Sequence, residues 1–169
     1  MRKLAVPVER SLEHVIEALR VCVEENCGEE SVVVTLRCSD LRAYGRTLQR
    51  PGVYVFVDPT DGTVYYVGQA KSLVRRLKGE HCNAHVGGSE GVVRFLMLIL
   101  DEICERADEW RARSVKERKN YVKSIIRHFL ERLIICVAYC REDSPLEDRG
   151  TRLAIEGCLK QRLNPILNP

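Results

Sequence analysis

The sequence predicts an α/β domain with a small central three-stranded sheet of antiparallel type, flanked by helices. Three observations carry that expectation. Val53-Tyr54-Val55-Phe56-Val57 and Thr63-Val64-Tyr65-Tyr66-Val67 are runs of β-branched and aromatic residues, joined by Asp58-Pro59-Thr60-Asp61-Gly62, whose Pro and Gly suit a hairpin turn. Leu133-Ile134-Ile135-Cys136-Val137-Ala138-Tyr139 is an apolar run of strand length and reads as a buried third strand. Elsewhere the apolar residues recur at helical spacing. At 169 residues, 45% hydrophobic and 30% charged, the chain has the make-up of one globular domain, able to bury roughly two thirds of its unfolded surface without cross-links.

The remaining elements follow in order. Leu12, Val15, Ile16, Leu19 and Val23 form one face of a helix over 11–27, with Gly28 as its stop. Val32, Val33 and Val34 predict a strand over 31–36, so residues 1–49 form an N-terminal helix-strand extension to a principal domain at 50–169. After the hairpin, Gly68 ends a strand and Ser72 opens a helix reaching about Glu80. A loop over 82–88 precedes two long helices, 92–110 and 115–132, which meet near Ser114 and make a helical insertion spanning 82–132. Ser144-Pro145-Leu146-Glu147 combines an N-cap, Pro at the first helical position and Glu three residues on, so a last helix runs from there to about Arg162, with Gly150 as a point of breakage and Asn164-Pro165 as its stop.

The apolar stretch 92–100 is interrupted by Arg94 and is about half the roughly 20 residues a bilayer span needs. The short apolar patch near the N-terminus ends in Glu9 and lacks a signal-peptide core. Together these predict a cytoplasmic protein with no membrane partner. Eight cysteines in such a chain are expected as reduced, mostly buried thiols, although sparse Asn and Gln beside abundant Arg and Glu fit a thermophilic source, where intracellular disulfides occur. The net charge of +3 says little, but its distribution says more. Lys71, Arg75, Arg76 and Lys78 cluster without an acid, and between Arg111 and Arg127 seven basic residues face only Glu117. Such runs suit either a solvated helix face or a polyanion.

Chemistry-bearing residues are few. Alternation lets only one of Tyr65 and Tyr66 share a face with Tyr54, and core packing is the plain reading of strand tyrosines. Glu156 interrupts an apolar series and is flanked at four residues by Arg152 and Lys160, the pattern of a surface ion pair. Arg75 and Arg76 follow a glycine-terminated strand, a place where an anion can be held. His81-Cys82-x-x-His85 and the pair Cys136 and Cys140 offer soft ligands, but neither has the spacing of a structural zinc site.

Order and spacing join these residues. Gly52-Val53-Tyr54, then Tyr66-Val67-Gly68-Gln69-Ala70-Lys71-Ser72-Leu73-Val74-Arg75-Arg76, then Glu156 and Asn168 resemble the GIY-YIG nuclease family. The second segment is similar to the Y-V-G-x-A-x-x-L-x-x-R pattern of the endonuclease subunit of bacterial nucleotide-excision repair, which puts the family arginine on Arg76. Glu156 precedes Asn168 by twelve residues, with Pro165 three before the Asn, as in that family. The likeness covers 50–81 and 133–169. Val53 stands where the family name has Ile, a change that keeps β-branching. The stretch between Arg76 and Glu156 is much longer than in the compact repair domain. Many members carry a His or Tyr about four residues after the arginine; here Glu80 holds that place and His81 the next.

The resemblance implies metal-dependent hydrolysis of DNA phosphodiester bonds. Mg²⁺ or Mn²⁺ is expected on Glu156, with Tyr54 as general base, Arg76 stabilising the phosphate, Tyr66 positioning phosphate or water, and Asn168 supporting the site. A phenol is a weak base near neutral pH unless cations lower its pKa, and Lys71, Arg76 and the metal are the expected agents. Lys71, Glu80 and His81 are auxiliary candidates. Gly52 and Gly68 are expected to allow close backbone approach, and Arg75, Lys78, Arg111, Arg113, Lys116, Arg118 and Lys119 to bind DNA. Specificity would come from the extension, the insertion, a homodimer or a partner protein. The alternative is a nucleic-acid-binding module of the same fold with little catalysis, serving repair, recombination or a mobile element.

Overall fold

A computed structural model describes residues 8–27, 31–87, 90–141 and 145–169. Four strands, β1 (Ser31–Leu36), β2 (Gly52–Val57), β3 (Val64–Ala70) and β4 (Ile134–Cys140), form one sheet in the order β1-β4-β2-β3, with every neighbouring pair antiparallel. The sheet therefore has four strands where three were expected. The strand of the N-terminal extension adds to the free edge of β4, with Ser31 opposite Cys140 and Leu36 opposite Ile135. The central strands β2 and β4 are buried throughout, as their continuous apolar sequences require.

Alternation along β2 builds two cores. Val53, Val55 and Val57 face a layer made by α1 (Val8–Cys27) and α6 (Arg149–Leu163), where Val15, Leu19, Val23, Ile155 and Leu159 pack. Tyr54 and Phe56 face the opposite layer, built from the helical insertion and the segments after β1 and β3. A register shift between Phe56 and Val57 disturbs that alternation at the hairpin end. Tyr65 and Tyr66 consequently both pack on the Tyr54 side, although strict alternation predicted only one.

Several elements depart from their expected form. The polar connection after β1 contains a 3₁₀ turn, Cys38–Arg42, that buries Leu41. The helix after β3 is wound as a π-helix over Arg75–His81. The expected helix over 92–110 is three pieces, α2 (Glu90–Leu98), α3 (Leu100–Glu105) and α4 (Ala107–Arg111), because the backbone leaves the helical region at Ile99 (φ −99°, ψ 7°) and Arg106 (φ −106°, ψ 32°). Val92, Phe95, Ile99 and Ile103 keep facing the core across the first kink, so the apolar period hides it. α5 (Val115–Arg132) starts where its sequence places it, with Ser114 and Glu117 forming a reciprocal cap. α6 begins later than expected: a 3₁₀ turn spans Pro145–Glu147, Asp148 caps by accepting from the Thr151 amide at 2.6 Å, and Gly150 sits unbroken in the first turn. Gly28, Ser144 and the first seven residues, which carried the helix stop, the earlier cap and the reading of the N-terminus, lie outside the described residues.

The expectation of reduced thiols is overturned. Cys22–Cys158 ties α1 to α6, Cys27–Cys140 ties the end of α1 to the end of β4, and Cys38–Cys82 ties the 3₁₀ turn to the residue after the π-helix. Their Cα atoms are 6.0, 5.7 and 5.5 Å apart, the separation a disulfide needs, and pairing across 136, 113 and 44 residues is invisible to local sequence reading. Cys136 is a buried free thiol whose pKa burial pushes up to about 12, and Cys104 is free and exposed.

Candidate functional site

The second core contains a polar centre. Tyr54 points from β2 into a ring of Phe56, Tyr66, Phe95 and His81, with the Tyr54 and Tyr66 rings stacked at 6.2 Å. Its hydroxyl lies 2.8 Å from His81 Nε2. Both side chains are almost wholly buried, and His81 Nδ1 has no partner among the described residues. Burial holds the Tyr54 phenol well above its ordinary range; the neighbouring Tyr66 and the carboxylates Glu156 and Glu80 push the same way, and only Arg76 opposes them. Burial, then Arg76, lower the His81 imidazole to about 3. Tyr66 is raised by burial and by Glu156, against Arg94 and Arg76. The expectation that cations lower the Tyr54 pKa is thus corrected: desolvation outweighs Arg76, and Lys71 stays exposed at the end of the strand.

His81 reaches this centre because the segment before it is a π-helix. Cys82 N–H donates to the Leu77 carbonyl and His85 N–H to the Glu80 carbonyl, both five residues back. One added residue per turn carries the position five after Arg76, not four, to the tyrosines. The auxiliary candidates therefore divide. His81 meets Tyr54, whereas Glu80 accepts a short charge-assisted hydrogen bond from Arg76 and lies 3.4 Å from Arg75. Arg76 Nε is buried with no partner among the described residues, a donor left for something else.

Glu156 comes from α6 on the far side of β3, half-buried, with Oε1 3.2 Å from Lys160 Nζ. Arg152, its other expected partner, turns away to Gln69 at 2.8 Å and to the Leu146 and Glu147 carbonyls. The Glu156 charge contributes to raising both tyrosines. Asn168 accepts from the Val67 amide at 3.1 Å and donates to the Val67 carbonyl at 2.6 Å, pairing the outer edge of β3 as a strand would and burying both bonds. Ile166 and Leu167 amides bind the Val64 and Tyr65 carbonyls just before it, so the tail closes that edge.

The two glycines are filled by the protein's own atoms. A Cβ on Gly68 would lie 2.6 Å from the Tyr54 ring and hydroxyl, and one on Gly52 would lie 2.5 Å from the Ala138 carbonyl. Two further residues bear on the centre without having been singled out. Gly91 packs on His81 and Tyr66, where a Cβ would come within 2.4 Å of His81 Cε1. Arg94 binds Glu90 and the Leu167 carbonyl and opposes the rise in the Tyr66 pKa. Its signal was in the sequence, as the charge interrupting an apolar helix.

The basic residues of the insertion are mostly engaged. Arg113 stacks on Tyr121 and approaches Glu109 at 3.8 Å, Arg118 donates to the Trp110 and Arg111 carbonyls over the Trp110 ring, and Arg111 approaches Asp108 at 3.3 Å. These contacts lock α4 onto α5. Lys116 and Lys119 remain exposed, as do Arg75 and Lys78 on the π-helix. Cys82 and Cys140 are consumed by disulfides, which removes them as zinc ligands, and among the described residues no three His, Cys, Asp or Glu side chains cluster around a metal-sized space. No helix of the described residues is long and apolar enough to cross a membrane. No protein-family model, curated protein or solved structure matches the chain.

Proposed function

We propose that the chain is a metal-dependent endonuclease of the GIY-YIG type, with β2, β3 and β4 as its three-stranded core and DNA as its substrate. The observation that carries this reading is the buried Tyr54 hydroxyl against a neutral His81, flanked by the charges of Arg76 and Glu156. A core tyrosine needs none of these neighbours. Glu156 is the candidate metal ligand, and a lone carboxylate fits Mg²⁺ or Mn²⁺, oxygen-seeking cations that keep several waters and take phosphate oxygens to complete their shell. Such a cation, when bound, would neutralise charge on the phosphate and leaving oxygen.

The chain's own residues would handle the proton and the phosphate. Tyr54 is the candidate general base: as a phenolate stabilised by Arg76 and by a bound cation it would take the proton of the attacking water, and His81, which the same burial keeps neutral, would hold the phenol oxygen in position rather than carry the proton. Arg76 turns its unpartnered Nε toward the phosphate as negative charge grows there. Tyr66, stacked on Tyr54, orients water or phosphate, and Asn168 fixes the strand that carries it.

The test is cleavage of plasmid, single-stranded, flap and junction DNA with and without Mg²⁺ or Mn²⁺, comparing wild type with Glu156→Ala and Tyr54→Phe. Metal-dependent cutting that falls roughly 100-fold or more in both variants, with binding retained, supports the mechanism. Undiminished cutting by either variant refutes the assignment of that residue. Binding without cutting by the wild type would make the chain a nucleic-acid-binding module.

A further inference from the structure

Beside the polar centre lies a groove of about 810 Å³ that no part of the mechanism uses. Three segments build it: the 3₁₀ turn of the N-terminal extension contributes Arg42, the π-helix contributes Arg75 and Lys78, and α5 of the insertion contributes Arg127. The Cys38–Cys82 disulfide joins two of these segments along its lining. All four cations are exposed, and among the described residues no carboxylate lines the groove. Among the described residues only Arg75 has an acidic partner, Glu80, which sits on the site-facing side of the same helix. Arg127 is held in place by the Asn83 side chain at 2.6 Å and carries no ion pair among the described residues.

We infer that this groove binds the phosphate backbone of the nucleic-acid substrate next to the scissile bond, with Arg42 and Arg127 as binding residues alongside Arg75 and Lys78. The inference rests on the nuclease reading above. Its arrangement favours a string of phosphates over one small anion. A small-anion site converges buried donors on a point, whereas these cations stand apart on three elements and stay hydrated. The π-helix presents Arg76 and His81 to the polar centre and Arg75 and Lys78 to the groove, so the two lie about one helix diameter apart, on the order of 10 Å. A strand crossing that helix would meet both within about three nucleotides, at about 3.4 Å of axial rise for each. The extension and the insertion thereby gain a shared role: each supplies one wall of a backbone track that the core alone lacks.

The experiment is anisotropy of a short labelled DNA duplex, in chelator to prevent cutting, across a salt series. Wild type is compared with the triple variant Arg42→Ala, Lys78→Ala, Arg127→Ala, with Arg127→Lys, and with Arg20→Ala on α1 at the opposite face of the sheet. The triple variant is expected to keep the wild-type unfolding midpoint, to bind on the order of 100-fold more weakly at about 0.1 M salt, and to show a salt slope smaller by about 2 to 3. Arg127→Lys and Arg20→Ala are expected to keep the wild-type slope. An unchanged slope in the triple variant overturns the groove even where wild type cuts DNA with Mg²⁺. So does an equal loss per charge in Arg20→Ala, which would mark a general effect of net charge, and so does a wild type that binds no duplex at low salt. Loss of slope in a protein that cuts nothing supports the groove and refutes only the catalytic reading.

Discussion

Lowering the pH should unfold this protein partly through one residue. His81 titrates near 6.5 when exposed in the unfolded chain and at about 3 in the folded one, because burial and Arg76 both oppose the imidazolium. Below about pH 6.5 the unfolded chain therefore binds a proton that the folded chain refuses, and stability falls as pH drops until about 3, where the folded form also takes it up. Each pH unit inside that window is worth up to about 1.4 kcal/mol. Between pH 7 and about pH 5 the loss from this residue sums to about 2 kcal/mol, a sizeable part of the 5 to 15 kcal/mol typical of a folded domain. Of the four histidines His81 alone is buried. The assay is urea unfolding at both pH values, with disulfides intact, for wild type and His81→Gln. Wild type should lose about 2 kcal/mol more than the variant over that interval. Equal losses would mean that His81 ionises freely in the folded protein, and the buried Tyr54–His81 pair would be refuted with it.

Two substitutions test the supports of the site. Gly68→Ala puts a methyl 2.6 Å from the Tyr54 ring and hydroxyl, so it should displace the phenol from His81 and cut DNA cleavage by about 100-fold, with a modest fall in unfolding midpoint. Cleavage at the wild-type rate would show that the Tyr54 position is not critical. Asn168→Ala strands the Val67 amide and carbonyl, and with each buried unpaired group costing about 1 to 3 kcal/mol, it should lower stability in denaturant by about 2 to 4 kcal/mol. A change below about 0.5 kcal/mol would mean that water replaces both bonds.

What the sequence made legible was whatever repeats locally. The hairpin, the buried strand β4 and the helix over 115–132 rest on alternation, an apolar run and helical spacing, and each is found where expected. Of the residues that spacing singles out, Tyr54 and Tyr66 stack on each other, and the charges of Arg76 and Glu156 act on both phenols. Three features were hidden for physical reasons. Winding as a π-helix leaves no mark in the apolar period of a segment seven residues long, so the sequence does not distinguish Glu80 from His81 as the residue facing Tyr54. The kink at Ile99 leaves the core-facing residues in phase, and the short piece after Arg106 buries no residue that would mark the second. Disulfide partners are set by tertiary proximity alone, and eight cysteines offer many pairings.

The polar centre is neutral in pairs. Arg76 is matched by Glu80, Glu156 by Lys160, and burial favours the uncharged forms of both Tyr54 and His81. A buried site with unmatched charges would oppose folding, and matching removes that opposition but leaves the catalytic groups occupied. On the nuclease reading, substrate must therefore exchange partners: Arg76 leaves Glu80 for phosphate, and Glu156 leaves Lys160 for a cation. Arg75 makes the first exchange less costly. It already lies 3.4 Å from Glu80, so that carboxylate keeps a cation when Arg76 turns away. The adjacent arginines then have separate duties, one to meet the phosphate and the other to hold the acid it abandons. Arg75→Ala should accordingly weaken the response of cleavage to substrate concentration more than it weakens salt-dependent duplex binding, whereas equal effects on both would reduce Arg75 to one more cation of the groove.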